Sequence, residues 1–216
     1  MDTSIIDCSL LAPFNMIVSG PTMSGKSVLT KEIIARRDEI IFPNVQHVIY
    51  CYGIEQPHVF KAMKNEFPEI QFQKGLPTEY GDDLLSPHLY ILDDLMEEAS
   101  KSKDVLQAFV RGSHHRNCSI VFITQNFFHD GLRPLTINAR YIVLFKNPRE
   151  TQVVNRIGCQ MNCGKKYQLL EEAYKNCISK PHGYVFIDCS QTQNENYRIR
   201  SNLFPDENCI IFTKLL

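Results

Sequence analysis

The run Phe14 to Ser27, FNMIVSGPTMSGKS, constrains this chain more than any other stretch. Phe14, Met16, Ile17 and Val18 make a short apolar segment of the kind that forms a buried strand. Gly20 to Ser27 then fits G-x-x-x-x-G-K-[ST] at every fixed position. Val28 to Arg37 follows with Leu29 and Ile33 four residues apart, the spacing of one helical face. Backbone N–H groups can surround a polyphosphate only where the chain takes dihedrals that glycine tolerates, which is the role read for Gly20 and Gly25. The helix adds the positive end of its dipole. In this reading Gly20, Pro21, Thr22, Met23, Ser24, Gly25, Lys26, Ser27 and Val28 line a nucleotide. The Lys26 ammonium reaches the β- and γ-phosphates, and the Ser27 hydroxyl ligates Mg²⁺. The bland alternative is a glycine turn followed by a solvated lysine; the strand before it and the helix after it favour the nucleotide.

A second apolar segment, His88 to Asp94, ends in two carboxylates. An acid at the C-terminal end of a strand beside the P-loop strand holds the metal, directly or through water, and that role is assigned to Asp93. Asp94 is placed to polarise the water that attacks the γ-phosphate. The alternative is that Asp94 caps the next helix, with Glu97 and Glu98 in its first turn. Ser119 to Asn126 is another apolar strand ending in amides. If it lies between the two motif strands, Gln125 reaches the γ-phosphate or the attacking water. Otherwise it is a strand-end amide satisfying backbone groups.

Further along, Val45 to Cys51 reads as a strand, Pro57 to Phe67 as a helix, Ile70 to Phe72 as a short strand, and Lys74 to Pro87, with its glycines and prolines, as a loop. Lys103 to Arg111 puts Val105, Leu106, Phe109 and Val110 on one helical face, and Ser113 to Asn117 reads as a polar turn in which His114 and His115 are expected on the surface or in hydrogen bonds, not on a shared metal. Ala139 to Lys146 is a strong strand stopped by Pro148. A helix carrying Val153, Val154 and Ile157 is expected to end before Gly158, and another covers Lys165 to Asn176. Tyr184 to Asp188 and Tyr197 to Arg200 flank a polar turn and read as a hairpin. Its second strand has Tyr197 and Ile199 on a buried face and Arg198 and Arg200 on a basic one.

No apolar run in the 216 residues approaches the roughly 20 needed to cross a bilayer, and Met1 to Ser4 lacks the basic start of a signal peptide. These readings predict a soluble intracellular protein with no membrane contact. The eight cysteines are expected as free, mostly buried thiols in a reducing compartment. Cys159, Cys163 and His182 form only a loose metal-like grouping, short of the two close ligand pairs of a zinc site. Residues 1–110 hold 9 Lys+Arg against 16 Asp+Glu, a balance of −7, while residues 111–216 hold 14 against 8, or +6. That asymmetry could steer a polyanion to one face, or could be a chance distribution of solvated charge.

In order, these motifs resemble the FtsK/HerA-type genome-packaging ATPases, in particular those of Maverick/Polinton elements, adintoviruses and related double-stranded DNA viruses. The stretches concerned are GPTMSGKS, YILDDLM, FVRGSHHRN, VFITQNFF, LTINARYIVLFKNPRE and, more loosely, HGYVFID with YRIRSNLFP. The resemblance implies an α/β P-loop NTPase of the ASCE (RecA-like) type, a three-layer sandwich with a mostly parallel central sheet and a C-terminal β-hairpin. The whole of residues 1–216 would be one ATPase domain, with a lead-in at 1–13, the core at 14–160, and a C-terminal helix and hairpin at 161–216. It implies ATP and Mg²⁺ as cofactors, self-association into a ring, and ATP hydrolysis that moves double-stranded DNA, whatever its sequence, into a capsid whose components are partners. The place of action would be the host nucleus or a cytoplasmic virus assembly site.

By the same resemblance Asp93 and Asp94 are the Walker B pair, Gln125 is the sensor, and the catalytic set is Lys26, Asp94, Gln125 and a trans-acting arginine finger. Arg149 is the first choice for the finger, then Arg140 and Arg116. The superfamily commonly has Glu where this chain has Asp94, one methylene shorter, so Glu97 and Glu98 stay open as the base. Lys165, Lys166, Arg198 and Arg200 are the candidates for DNA phosphates. Two other readings remain: a small P-loop kinase transferring the γ-phosphate, and a nucleotide-dependent scaffold that does not hydrolyse.

Overall fold

Apolar side chains on both sides of each strand demand a sheet covered on two faces, and a computed structural model has that form. It describes residues 9–55, 57–78, 80, 86–112, 117–150, 152–161 and 165–213. The strands are β1 (Leu10–Leu11), β2 (Asn15–Ser19), β3 (Ile41–Phe42), β4 (His47–Tyr52), β5 (Gln71–Lys74), β6 (His88–Asp93), β7 (Cys118–Thr124), β8 (Tyr141–Phe145), β9 (Tyr184–Asp188), β10 (Ile199–Ser201) and β11 (Ile211–Phe212). Nine of them form one sheet in the order β11-β10-β9-β8-β2-β7-β6-β4-β5, and β1 pairs with β3 separately. From β8 to β5 every pairing is parallel. From β8 to β11 every pairing is antiparallel. The strand ending in Gln125 therefore lies between the P-loop strand β2 and the acid-tipped strand β6, as the sensor reading required.

The helices are α1 (Lys26–Ala35), α2 (Arg37–Ile40), α3 (Pro57–Glu66), α4 (Met96–Lys101), α5 (Lys103–Gln107) running into a π-helical turn at Ala108–Gly112, α6 (Arg133–Asn138), α7 (Gln152–Met161) and α8 (Lys165–Cys177). Met16, Val18, Leu89, Ile91, Val121 and Val143 face one way and pack with Leu29, Ile33 and Ile34 of α1 and Phe60 and Met63 of α3. Their neighbours Ile17, Leu92, Ile120, Phe122, Ile142 and Leu144 face the other way, onto α4 to α8. Three layers result, with a core on each side of the sheet.

Several sequence expectations are corrected. Gly158 does not end its helix; it is buried inside α7, which runs on to Met161. Helix α6, to which no sequence expectation is attached, carries Pro134 in its first turn, where proline is well placed. The basic face of the last hairpin does not exist. Arg200 pairs with Phe186 across β9 and β10, is 1% exposed, and stacks its guanidinium 4.4 Å from the Phe186 ring. The unforeseen β11 pairs with the other edge of β10, and all three residues of β10 are buried. Arg198 donates to the carbonyls of Asp188 (3.0 Å) and Ser190 (2.6 Å) and pairs with Glu195 (2.7 Å). Tyr197 lies in a 3₁₀ turn, Glu195–Tyr197, and not in the strand. Arg198 and Arg200 are thus structural, not a DNA-facing pair.

No described helix is long and apolar enough to cross a membrane. Cys51, Cys118 and Cys177 are buried free thiols, whereas Cys159 and Cys209 are exposed, against expectation. Among the described residues no group of three or more His, Cys, Asp or Glu comes together as a metal site. Cys8, Cys163, the turn Ser113 to Arg116 and the side chains of Lys165 and Lys166 lie outside the described residues.

Candidate nucleotide site

β2 delivers the chain to the C-terminal edge of the sheet, where Gly20 N–H donates to the Thr124 carbonyl (3.2 Å) and so pins the loop to β7. A Cβ on Gly20 would stand 2.7 Å from both Phe145 Cβ and Ser24 Oγ, so only glycine fits between the loop and β8. The loop then turns through two left-handed residues, Met23 (φ 64°) and Gly25 (φ 113°), and Gly25 is the N-cap of α1. The first N–H groups of a helix have no partner within it, and α1 has no side-chain cap at Gly25. Met23 and Val28 are 90% and 73% exposed. The Ser24 hydroxyl is buried without a hydrogen-bond partner among the described residues.

Lys26 folds over this loop and donates to the carbonyls of Gly20 (2.6 Å) and Pro21 (2.8 Å). Burial lowers its basicity, and the charges of Asp93 and Asp94 counter that effect. The lysine and the two acids, about 70 residues apart in sequence, are thereby electrostatic neighbours. Thr22 Oγ1 donates to Gln125 Oε1 at 3.5 Å, a long contact that sets the sensor residue beside the P-loop. The turn after β7 is held by Thr124, whose hydroxyl donates to the Asn126 carbonyl (3.0 Å) and accepts from its N–H (3.2 Å).

Asp93 ends β6 half-buried and accepts a hydrogen bond from the Tyr50 hydroxyl at 2.7 Å. Burial raises its pKa above the ordinary carboxylate value; the Tyr50 hydrogen bond lowers it, the neighbouring Asp94 raises it, and Lys26 lowers it. Asp94 is exposed and left-handed (φ 56°). Its carbonyl oxygen lies 2.1 Å from where a Cβ on Gly53 would stand, so Gly53 is what lets the acid turn pass. Asp94 does not cap the next helix: α4 begins at Met96 with Leu95 as N-cap and no side-chain cap. Glu97 is engaged with Lys101 (3.4 Å) and His129 (3.3 Å).

Arg149 is exposed on the turn after β8. That turn is tightly seated: Asn147 N–H donates to the Tyr174 hydroxyl (3.1 Å), which donates to the Phe145 carbonyl (3.1 Å), and Asn147 Oδ1 accepts from Arg149 N–H (3.1 Å). Glu150 accepts from the backbone N–H groups of Phe127 and Phe128, tying the arginine-bearing turn to the sensor turn. Arg140, by contrast, sits at the start of β8, at the opposite edge of the sheet, and donates to the Leu11 carbonyl (3.0 Å). Arg116 lies outside the described residues.

Tyr50, Gly53, Glu150 and His182, which accompanies the P-loop from the turn before β9, are not read as nucleotide-site residues from sequence; His182 enters there only through a loose metal-like grouping with Cys159 and Cys163. A nucleoside triphosphate and Mg²⁺ fit what is present. The cradle leaves no room for a Cβ at Gly20, a buried hydroxyl at Ser24 lacks a partner, and Ser27 and Asp93 offer the hard oxygen donors that Mg²⁺ prefers.

No protein-family model and no curated protein sequence matches the chain. Among solved structures, the cytoplasmic domain of the Thermomonospora curvata type VII secretion ATPase EccC is similar to it, with a TM-score of 0.53 and 13% sequence identity over 92% of this chain and 25% of that one. The chain thus spans a quarter of the length of that structure. The likeness, together with the strand order, establishes the fold as a RecA-like α/β domain.

Proposed function

We propose that this chain is an ATP-hydrolysing motor subunit that works in a ring and drives double-stranded DNA, independent of sequence, into a capsid. The observation that carries the ATPase part is the meeting of Lys26, Asp93, Asp94 and Gln125 at the C-terminal ends of three adjacent strands. The genome-packaging part rests on the motif order along the chain. Mg²⁺, held by the Ser27 hydroxyl and the Asp93 carboxylate, would neutralise charge on the β- and γ-phosphate oxygens. Lys26 exchanges its loop carbonyls for phosphate oxygens. Asp94, exposed and free of a capping role, orients water for in-line attack, and Gln125 hydrogen-bonds to the phosphate end without repelling it. Arg149 projects from a rigid turn toward a neighbouring subunit, where it stabilises charge developing in the transition state.

With Arg198 and Arg200 engaged internally, Lys165 and Lys166 are joined as candidates for DNA phosphates by exposed arginines of α6 and α7. Arg133 and Arg156 are exposed along one groove of about 440 Å³. This flank of α6 and α7 is the surface we assign to phosphate contact. The test is ATPase turnover per subunit against protein concentration, with and without double-stranded DNA. Turnover should rise with concentration and with DNA, and Arg149→Ala should lower it by about 10³-fold. The activity of Arg149→Ala should partly return when it is mixed with Lys26→Ala, each subunit supplying what the other lacks. A flat concentration dependence, or no rescue on mixing, removes the shared site. DNA that leaves turnover unchanged removes the translocase.

A further inference from the structure

We propose that His182 is the contact for the nucleoside part of the bound nucleotide, an assignment that rests on the P-loop reading and extends it. The sheet order fixes which way a nucleotide must lie. The groups that meet its terminal phosphate, Asp93 and Gln125, are on the β7–β6 side of the P-loop strand. A polyphosphate is a chain, so its esterified end leaves the loop on the other side, toward β8 and β9. Phe145, at the end of β8, pairs with Tyr184, at the start of β9. Because β9 runs antiparallel, the turn entering it stands at the same edge as the P-loop.

That turn places His182 against the loop. Its Nδ1 is 3.2 Å from the Ser24 carbonyl oxygen, and its Cβ is 3.2 Å from where a Cβ on Gly25 would stand. A carbonyl only accepts, so Nδ1 carries a proton and the rest of the ring is free to meet a ligand. The placement is enforced by the backbone. His182 is left-handed (φ 58°), and Gly183 is required because a Cβ there would overlap the Cys177 carbonyl oxygen at 1.9 Å. The ring is nevertheless exposed, as are Met23 and Val28 on the loop and the first turn of α1. An aromatic ring fixed beside a phosphate cradle, on the side where the ester emerges, presents a flat partly apolar surface to a base or ribose.

The test separates the nucleoside from the phosphates. Binding of Mg–ATP and of Mg–tripolyphosphate is measured by calorimetry on the full chain, on His182→Ala and on His182→Phe. His182→Ala should weaken ATP about tenfold and leave tripolyphosphate unchanged, the size expected for loss of one aromatic contact to a base, and His182→Phe, which keeps the ring, should bind ATP within about twofold of the wild type. The assignment is overturned if His182→Ala leaves ATP unaffected, if it weakens both ligands alike, or if the Phe variant is as weak as the Ala variant. Lys26→Ala, which should lose both ligands, distinguishes a failure of the P-loop reading itself. A wild type that binds neither ligand sinks both ideas.

Discussion

Replacing Tyr50 by phenylalanine isolates one hydrogen bond in an otherwise unchanged setting. The ring is 2% exposed and sits 5.6 Å from both Phe60 and Phe72, so phenylalanine fills the same space. What disappears is the 2.7 Å bond to Asp93. A hydrogen bond to a charged group contributes about 1.5–3 kcal/mol, which for a domain of this size lowers the melting midpoint by roughly 3–12 °C. The sign of the pH dependence follows from the two opposing influences on Asp93. Burial already holds its pKa above the ordinary carboxylate value and Tyr50 pulls it back, so Tyr50→Phe moves it further up. The destabilisation is therefore largest where Asp93 is ionised and fades as pH falls through its pKa. Activity that needs the Asp93 carboxylate should lose its acid limb at a higher pH than in the wild type. Thermal melts across the acid range, paired with a pH–rate profile for ATP hydrolysis, measure both. An unchanged melting midpoint at neutral pH with an unmoved acid limb would show that Tyr50 does not hold Asp93.

Asp93→Asn should abolish hydrolysis yet stabilise the fold by about 1 kcal/mol near neutral pH, because it removes a half-buried charge whose ionised form burial disfavours. That gain should vanish as pH falls and the wild-type carboxyl takes up its proton, which denaturation curves at several pH values would reveal. Gly20→Ala puts a methyl group 2.7 Å from Phe145 Cβ and Ser24 Oγ. It should cost about 1–3 kcal/mol in stability, as overpacking does, and should lose Mg–ATP binding through displacement of the loop, both measurable by melts with and without nucleotide.

Local chemistry was legible and approach in space was not. The P-loop could be read because its strand, its glycines and its helix are contiguous, and each residue type answers a need of the phosphate. Gln125 could be read conditionally, since its use depended only on β7 lying between β2 and β6. Arg200 misled because alternation along a strand reports two faces without saying what covers them. Arg200 faces Phe186 on one neighbouring strand, and β11, only two residues long, closes the other side. Gly158 misled because a glycine is also tolerated inside a helix when neighbouring elements pack against it. Tyr50 reads only as part of a strand; nothing in that strand says that its hydroxyl ends at an aspartate 43 residues on.

The three antiparallel strands explain why the C-terminal part of the chain belongs to the site. In a purely parallel sheet every strand leaves toward the nucleotide edge and every connection returns to the far edge, so only exits can line the ligand. Reversing β9 turns an entry into a neighbour of the P-loop, which is how the turn at His182 reaches Ser24. The reversal then exposes a sheet edge, and β10 with β11 extends the sheet beyond it. The guanidinium of Arg200, stacked on Phe186, packs the inner strand of that addition. Burying so large a cation is costly unless its surroundings compensate, and the stacking shows one source of that compensation. The positive balance of residues 111–216 is consequently in part a structural charge that holds the strand beside the nucleotide edge, while Arg133 on α6, Arg156 on α7 and Lys146, Arg149 and Lys180 on the turns are among the cations that face outward.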